Sequence, residues 1–196
     1  MTGEPLALAF TGHMIDLPGR FPPRFPPELA DAARAEIERR ILHHTSGLNK
    51  TSVKGFASLA RGGDILFHEI CRGLGFETEV VLPFAPDPFV KSSVEGAENG
   101  HWPQRFQKIW RETPPARRHV LGLPESADAY AICNERVLEL ARHYGAVQLI
   151  ALWNGRGGDG PGGTADLVAR TKRHSGREPE IIDPKNLRLQ REERHD

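Results

Sequence analysis

Three stretches of this 196-residue chain combine glycine with polar side chains in ways that can do chemistry. They are FTGHMID at residues 10–16, LARGGDI at 59–65 and NGRGGDGPGGTADLV at 154–168. The last holds six glycines in fifteen positions, too dense for the interior of a helix or strand. Glycine lets backbone amides converge on an oxyanion with no Cβ in the way. The first turn of a helix adds unpaired N–H groups and a partial positive charge. Gly162 and Gly163 can therefore bring the chain close to a phosphate, while Thr164 caps the helix or donates to an oxygen. GGDILFHEI repeats the design with Gly62, Gly63 and Asp64, the aspartate serving as a cap or as an acceptor for ligand hydroxyls. Thr11 and Gly12 stand at the corresponding turn of the first stretch. Strand-to-helix turns also carry glycine for steric reasons alone. The length of the connection from Asn154 to Thr164 favours phosphate or nucleotide contact over that plainer account. Neither P-loop nor GxGxxG spacing is present, which disfavours ordinary kinases, NTPases and dehydrogenases.

GHMIDLPGRFPPRFP, residues 12–26, places His13, Asp16, Arg20 and Arg24 just beyond the first stretch, in a loop stiffened by proline. Arg20 or Arg24 can reach back and pair with a phosphate; the alternative is a solvated lid with two surface arginines. His13 reads as a hydrogen-bonding loop residue before a base. His43 and His44 are adjacent on a helix and diverge, HEIC lacks the second histidine of a zinc helix, and no GxSxG elbow occurs. No metal site or cofactor is expected. Ser92 and Ser93 can touch a ligand but read more simply as a polar turn. Trp102, Phe106 and Trp110 have the spacing of a core face. Cys71 and Cys133 read as reduced, partly buried thiols.

The elements that must position these residues follow from apolar patterning. Strands are expected at Leu6–Phe10, Val53–Ala60, Glu79–Phe84, Val120–Leu123, Val147–Trp153 and Glu180–Ile182. Helices are expected at Pro27–His44, Ile65–Leu74, about Trp102–Glu112, Ser126–Tyr144 and from Gly163 to about His174, with residues 85–116 otherwise less regular. The strands are continuously apolar, as in a parallel sheet covered on both faces. The expected fold is α/β: a Rossmann-like, doubly wound, mainly parallel sheet with helices on both faces. It forms one domain over residues 1–183, followed by a charged tail at 184–196.

Composition supports a packed globule, with 38% hydrophobic and 27% charged residues. The 26 basic and 26 acidic side chains cancel, so the broad positive field that holds nucleic acid is absent and nucleic-acid partners are disfavoured. The longest apolar runs fall far short of the ~18 residues of a membrane span, and a cytoplasmic protein is expected.

Four stretches taken together, FTGHMID with PGR and PRFP, FASLARGGDILFHEICRGLG, VVLPFAPDPFVKSSV and ALWNGRGGDGPGGTADLV, resemble the SLOG superfamily over about residues 5–183. That group includes Lonely Guy enzymes, DprA-like proteins and nucleotide-sensor domains; the likeness is nearest to bacterial signalling-associated domains. The resemblance implies a nucleotide-derived ligand at the sheet's rim, with the phosphate motif on Gly162, Gly163 and Thr164 and the other two turns on Gly62, Gly63, Asp64 and on Thr11, Gly12. It also makes homodimers common. Lonely Guy proteins carry P-G-G-x-G-T-x-x-E; this chain has Pro161-Gly162-Gly163-Thr164-Ala165-Asp166, without the intervening glycine and with Leu167 three after the threonine. The expectation is a nucleotide-binding sensor or signalling module that acts on a partner protein or on its own copies. The alternative is an N-glycosidic-bond hydrolase, acting on nucleoside monophosphates or NAD, with Asp166, Asp64 or Glu69 stabilising the developing oxocarbenium or activating water while an arginine steadies the ribose phosphate. A structural protein with a vestigial rim is the third possibility.

Overall fold

The computed structural model describes residues 4–156, 164–174 and 177–187. The chain runs β1 (Leu6–Gly12), α1 (Ala30–Thr45), β2 (Val53–Ala57), α2 (Gly63–Gly73), β3 (Glu77–Leu82) and α3 (Pro86–Ser93). It continues through α4 (Trp102–Glu112), β4 (Arg118–Val120), α5 (Ala127–Tyr144), β5 (Ala146–Leu152), α6 (Thr164–His174) and β6 (Glu180–Ile182). The strands form one sheet in the order β4-β3-β2-β1-β5-β6, and every pairing is parallel.

Parallel strands need covering on both faces, and β1 shows how the sequence provides it. Leu6, Leu8 and Phe10 pack into one core with Ile37 and Ile41 of α1 and with Ile65 and Phe67 of α2. The alternate residues Ala7 and Ala9 pack into a second core with Val137 and Ala141 of α5 and with Leu167 of α6. Alanine on this second face lets α5 approach the sheet closely. The result is a doubly wound α/β fold.

Local signals set the ends of several elements. Ser126 caps α5 by accepting the Ala129 N–H at 3.3 Å, with Asp128 in the first turn and Arg142 and His143 in the last, each suited to the helix dipole. β3 ends at Leu82, before Pro83, which has no N–H to continue a ladder. It starts two residues before the expected Glu79. β4 pairs through Arg118–Val120, upstream of the expected Val120–Leu123, because that register brings His119 to Glu79 across the pair at 2.8 Å.

One helix was not expected. α3 spans Pro86–Ser93, in a stretch expected to be irregular. Pro86 lies in its first turn, where the missing N–H costs nothing. Leu187 is 1% exposed and joins the core. Trp102 and Phe106 are buried and Trp110 packs against them, the core face that their spacing predicted. No helix among the described residues is long and apolar enough to cross a membrane.

Candidate functional site

The strand order reverses between β1 and β5: successive strands run outward from β1 in one direction through β2 and β3, and the sheet then continues on the other side with β5. In open parallel sheets the crevice beyond the carboxyl ends at such a switch point is where ligands bind. Here β1 and β5 end level, with Gly12 opposite Leu152. A cavity of about 390 Å³ opens beyond those ends, a size in the range of small-ligand sites.

The loop after β1 forms its floor. The His13 N–H continues the ladder to the Leu152 carbonyl at 3.0 Å. Met14 and Gly62 form an antiparallel bridge, and the Gly63 N–H donates to the His13 carbonyl at 3.3 Å. The first two glycine turns therefore meet, as the phosphate reading required, but their glycines serve each other. A Cβ on Gly62 would lie 2.6 Å from the Ile15 nitrogen, and the residue has φ +90°. A Cβ on Gly63 or on Gly12 would lie 3.0 Å from the Phe10 ring. Gly12 lines the cavity, whereas Gly62 and Gly63 do not. With its amide spent on His13, Gly63 is no anion donor. In this structure the turn of Gly62 and Gly63 packs loop on loop.

Asp64, in the same turn, does face the cavity. Its carboxylate accepts the Ala60 N–H at 3.2 Å. Burial with so little compensation pushes its pKa up to about 7, so near neutrality the group can accept or donate a proton. Cys133 also lines the cavity. Burial raises its thiol to about 12, and Sγ donates weakly to the Val81 carbonyl at 3.4 Å, so it is a thiol and no nucleophile at neutral pH. Both cysteines are free and buried.

His13 accepts the Asn154 N–H on Nε2 at 3.3 Å. Burial lowers its pKa; the neutral ring, with its proton on Nδ1, fits this bond. It is the hydrogen-bonding loop residue expected, and it ties the loop after β1 to the start of the long loop after β5.

The proline-rich segment folds around Asp16. Its carboxylate accepts the N–H groups of Arg24 at 2.8 Å and Phe25 at 2.9 Å, and the Asp16 N–H donates to the Phe25 carbonyl at 2.9 Å. Phe25 is completely buried. This folded loop separates the two arginines. Arg24 lines the cavity. Arg20 instead lies 3.4 Å from Asp16 and lines a separate crevice with Glu98 and Asn99.

Thr11 and Thr164 meet at the cavity, their hydroxyl oxygens 3.2 Å apart and both buried. Thr164 opens α6. Gly162 and Gly163 lie outside the described residues, as does the side chain of Asp166. Glu69 is elsewhere. It sits between α1, α2 and α4, bonded by Arg34 at 2.8 Å and by Arg105 at 2.7 and 2.6 Å. Burial acts to raise its pKa, but these arginine contacts outweigh it and the pKa is lowered. A carboxylate so held, and away from the cavity, is a structural anchor. Glu69, expected as a candidate catalytic residue, is thus not brought to the cavity with Asp64 and Thr164.

One wall was foreshadowed in the sequence only at Ser92 and Ser93. Ala127, Tyr130 and Asn134 of α5, spaced as one helical stripe, line the cavity together with Phe89, Ser92 and Ser93 of α3. The Tyr130 hydroxyl lies 3.2 Å from Ser92 Oγ and 3.1 Å from Ser93 Oγ. Trp153 completes the lining at the end of β5, its indole N–H donating to the Arg156 carbonyl at 2.7 Å. Ser92 and Ser93 are thus helical cavity residues, not a turn. The i, i+3, i+7 stripe was the available signal, but it is indistinguishable from an ordinary core face until α3 is in place. Among the described residues, no group of three or more His, Cys, Asp and Glu side chains could hold a metal ion.

The chain matches no protein-family model, and comparison with curated proteins gives no match.

Proposed function

We propose that this cavity binds a nucleotide or nucleotide-derived small molecule, and that the protein acts as a sensor or signalling module. The observation that carries this reading is the position of a cavity with polar and aromatic walls at the β1/β5 switch point, with the first residue of α6 in its lining. The parts divide naturally. Thr164, the first turn of α6 and Arg24 suit a phosphate, since a helix start and a guanidinium both favour an oxyanion. Asp64 suits ribose hydroxyls. Tyr130 and Trp153 offer aromatic surface for a planar base. The resemblance to SLOG domains agrees with this assignment, and a partner protein or a second copy of the chain would supply the output.

A second reading has one observation in its favour. Asp64 combines burial, cavity access and a pKa near 7, which suits a general acid that protonates a departing base. This would make the protein an N-glycosidic-bond hydrolase.

Melting scans of the purified protein with a panel of nucleotides and NAD, followed by chromatography of the mixtures, test both. A ligand at a hundred times its Kd adds about 2.7 kcal/mol of stability, which such a scan resolves. Stabilisation with the nucleotide recovered intact supports the sensor. Free base appearing, and lost in Asp64→Asn, supports the hydrolase. No stabilisation and no base from any nucleotide would overturn both.

A further inference from the structure

The hydroxyls of Ser92, Ser93 and Tyr130 form a mutually bonded group on the side of the cavity built by α3 and α5, and Ser92 Oγ also donates to the Phe89 carbonyl at 3.3 Å. Ser92 Oγ and Ser93 Oγ lie 3.2 Å apart, and the Tyr130 oxygen is within 3.2 Å of both. Each hydroxyl has one rotatable proton and two lone pairs. The group can satisfy itself when alone and turn its protons toward a ligand.

Its electrical setting decides which ligand. Arg61 is 5% exposed. Its Nε donates to the Ile15 carbonyl at 3.0 Å and its Nη1 to the Glu95 carbonyl at 3.3 Å. Its main-chain N–H donates to the Ser93 carbonyl at 3.0 Å, which joins its backbone to the end of α3. Among the described residues no carboxylate forms a salt bridge with it. Asp16 acts on it from a distance, as does Tyr130, but the Asp16 carboxylate is already engaged by two amides and Arg20. The Ile15 and Glu95 carbonyls that accept from the guanidinium offset part of the charge. A positive surplus remains, in a buried position where uncompensated charge is unfavourable. That field favours hydroxyl protons pointing into the cavity. Arg24 adds a further cation to the lining.

We propose that Ser92, Ser93 and Tyr130, backed by Arg61, form a second anion subsite in this cavity, so that the ligand carries two separate phosphate groups, as a nucleoside bisphosphate does. The inference rests on the nucleotide reading and narrows it. One phosphate sits at Thr164 and the start of α6. The other sits at the hydroxyl group, with the nucleoside between them.

Calorimetric titration tests it with two ligand sets: the 5′-monophosphates of adenosine, guanosine, cytidine and uridine, and the matching 3′,5′-bisphosphates. For at least one base, the bisphosphate binds the wild-type protein about tenfold more tightly than the monophosphate, the factor that 1.4 kcal/mol of added interaction gives. In the Ser92→Ala/Tyr130→Phe double variant that ratio falls to about one. Tyr130→Phe alone, which keeps the ring packed on Phe84, gives an intermediate ratio if the double variant is too unstable to titrate. Equal affinities for mono- and bisphosphates in the wild type, or a ratio that survives the substitutions, overturn the second subsite and leave the nucleotide reading intact. Failure of every nucleotide to bind overturns that reading and the subsite with it.

Discussion

The hydroxyls of Thr11 and Thr164 lie 3.2 Å apart, although 153 positions separate them in the chain. The contact joins the end of β1 to the first residue of α6. Only a switch-point arrangement, with β1 and β5 adjacent and parallel, brings these two ends together. Replacing Thr164 by Val keeps the shape and removes the hydroxyl. The Thr11 oxygen then loses its partner in a buried position, at a cost of about 1–2 kcal/mol. If the first phosphate sits here, nucleotide affinity also falls about tenfold. Denaturation midpoints report the first effect and titration the second. Unchanged affinity would remove Thr164 from the site while leaving its structural contact in place.

Asp64 carries a pH dependence whose sign follows from burial. Its folded pKa is about 7 against an ordinary value of 3.8, so the folded protein holds a proton that the unfolded chain has released. The contribution to stability is full below pH 4 and is lost as pH rises towards 7. At about 1.4 kcal/mol per unit it amounts to at most about 4 kcal/mol. Asp64→Asn keeps an acceptor for the Ala60 N–H and does not titrate. Between pH 4.5 and 7.5 the wild type should lose stability relative to this variant. His68 runs the other way: burial lowers its pKa to about 4, so its contribution is present above 6.5 and lost as pH falls towards 4. The two partly cancel in the wild-type profile, which makes the difference from Asp64→Asn the informative measurement. A difference that is flat with pH would show that Asp64 does not titrate in this window.

Gly62 gives a prediction about packing. Its backbone has φ 90° and ψ −122°, and an added Cβ would stand 2.6 Å from the Ile15 nitrogen. Gly62→Ala should cost about 2–4 kcal/mol, from backbone strain and from separation of the first two loops. Gly155 also has positive φ, +75°, but a Cβ there would meet nothing within 4 Å. Gly155→Ala should cost only about 1 kcal/mol. Urea denaturation of the pair separates steric contact from conformation alone. Equal losses would contradict the close approach at Gly62.

These glycines mark where the sequence ceases to be legible. The parallel sheet was legible because its strands are mostly apolar runs, LALAF in β1 and, broken only by Gln148, VQLIAL in β5 above all. The convergence of the first two glycine turns was legible too, since both follow adjacent strands. Their purpose was not: glycine that admits a phosphate and glycine that admits the neighbouring loop look alike until Ile15 and Phe10 are in place. α3 was hidden in a stretch with no clear periodicity, although Pro86 is well suited to a first helical turn. With α3 unseen, Tyr130 had no serines to meet, and the α3–α5 wall could not be built. Arg20 and Arg24 looked equivalent in sequence; the hydrogen bonds of Asp16 make them different.

Glu69 provides the sharpest separation between chemistry and scaffolding. It is an acidic residue five positions after Asp64 on the same helix, which made it a candidate acid group. The structure bonds it to Arg34 and to both arms of Arg105, while the Arg105 guanidinium also lies 4.2 Å from the centre of the Trp102 ring. The pair geometry is bidentate and partly buried, with side chains about a quarter exposed, so it exceeds the ordinary worth of a surface ion pair. Glu69→Gln should therefore lower stability by about 1–2 kcal/mol by loosening α4 from α2. Nucleotide affinity, and base release if the protein catalyses it, should be unchanged. The measurement is denaturation alongside titration and product analysis on the same variant. Loss of base release at full stability would return Glu69 to the chemistry and require the α1–α2–α4 junction to open in solution.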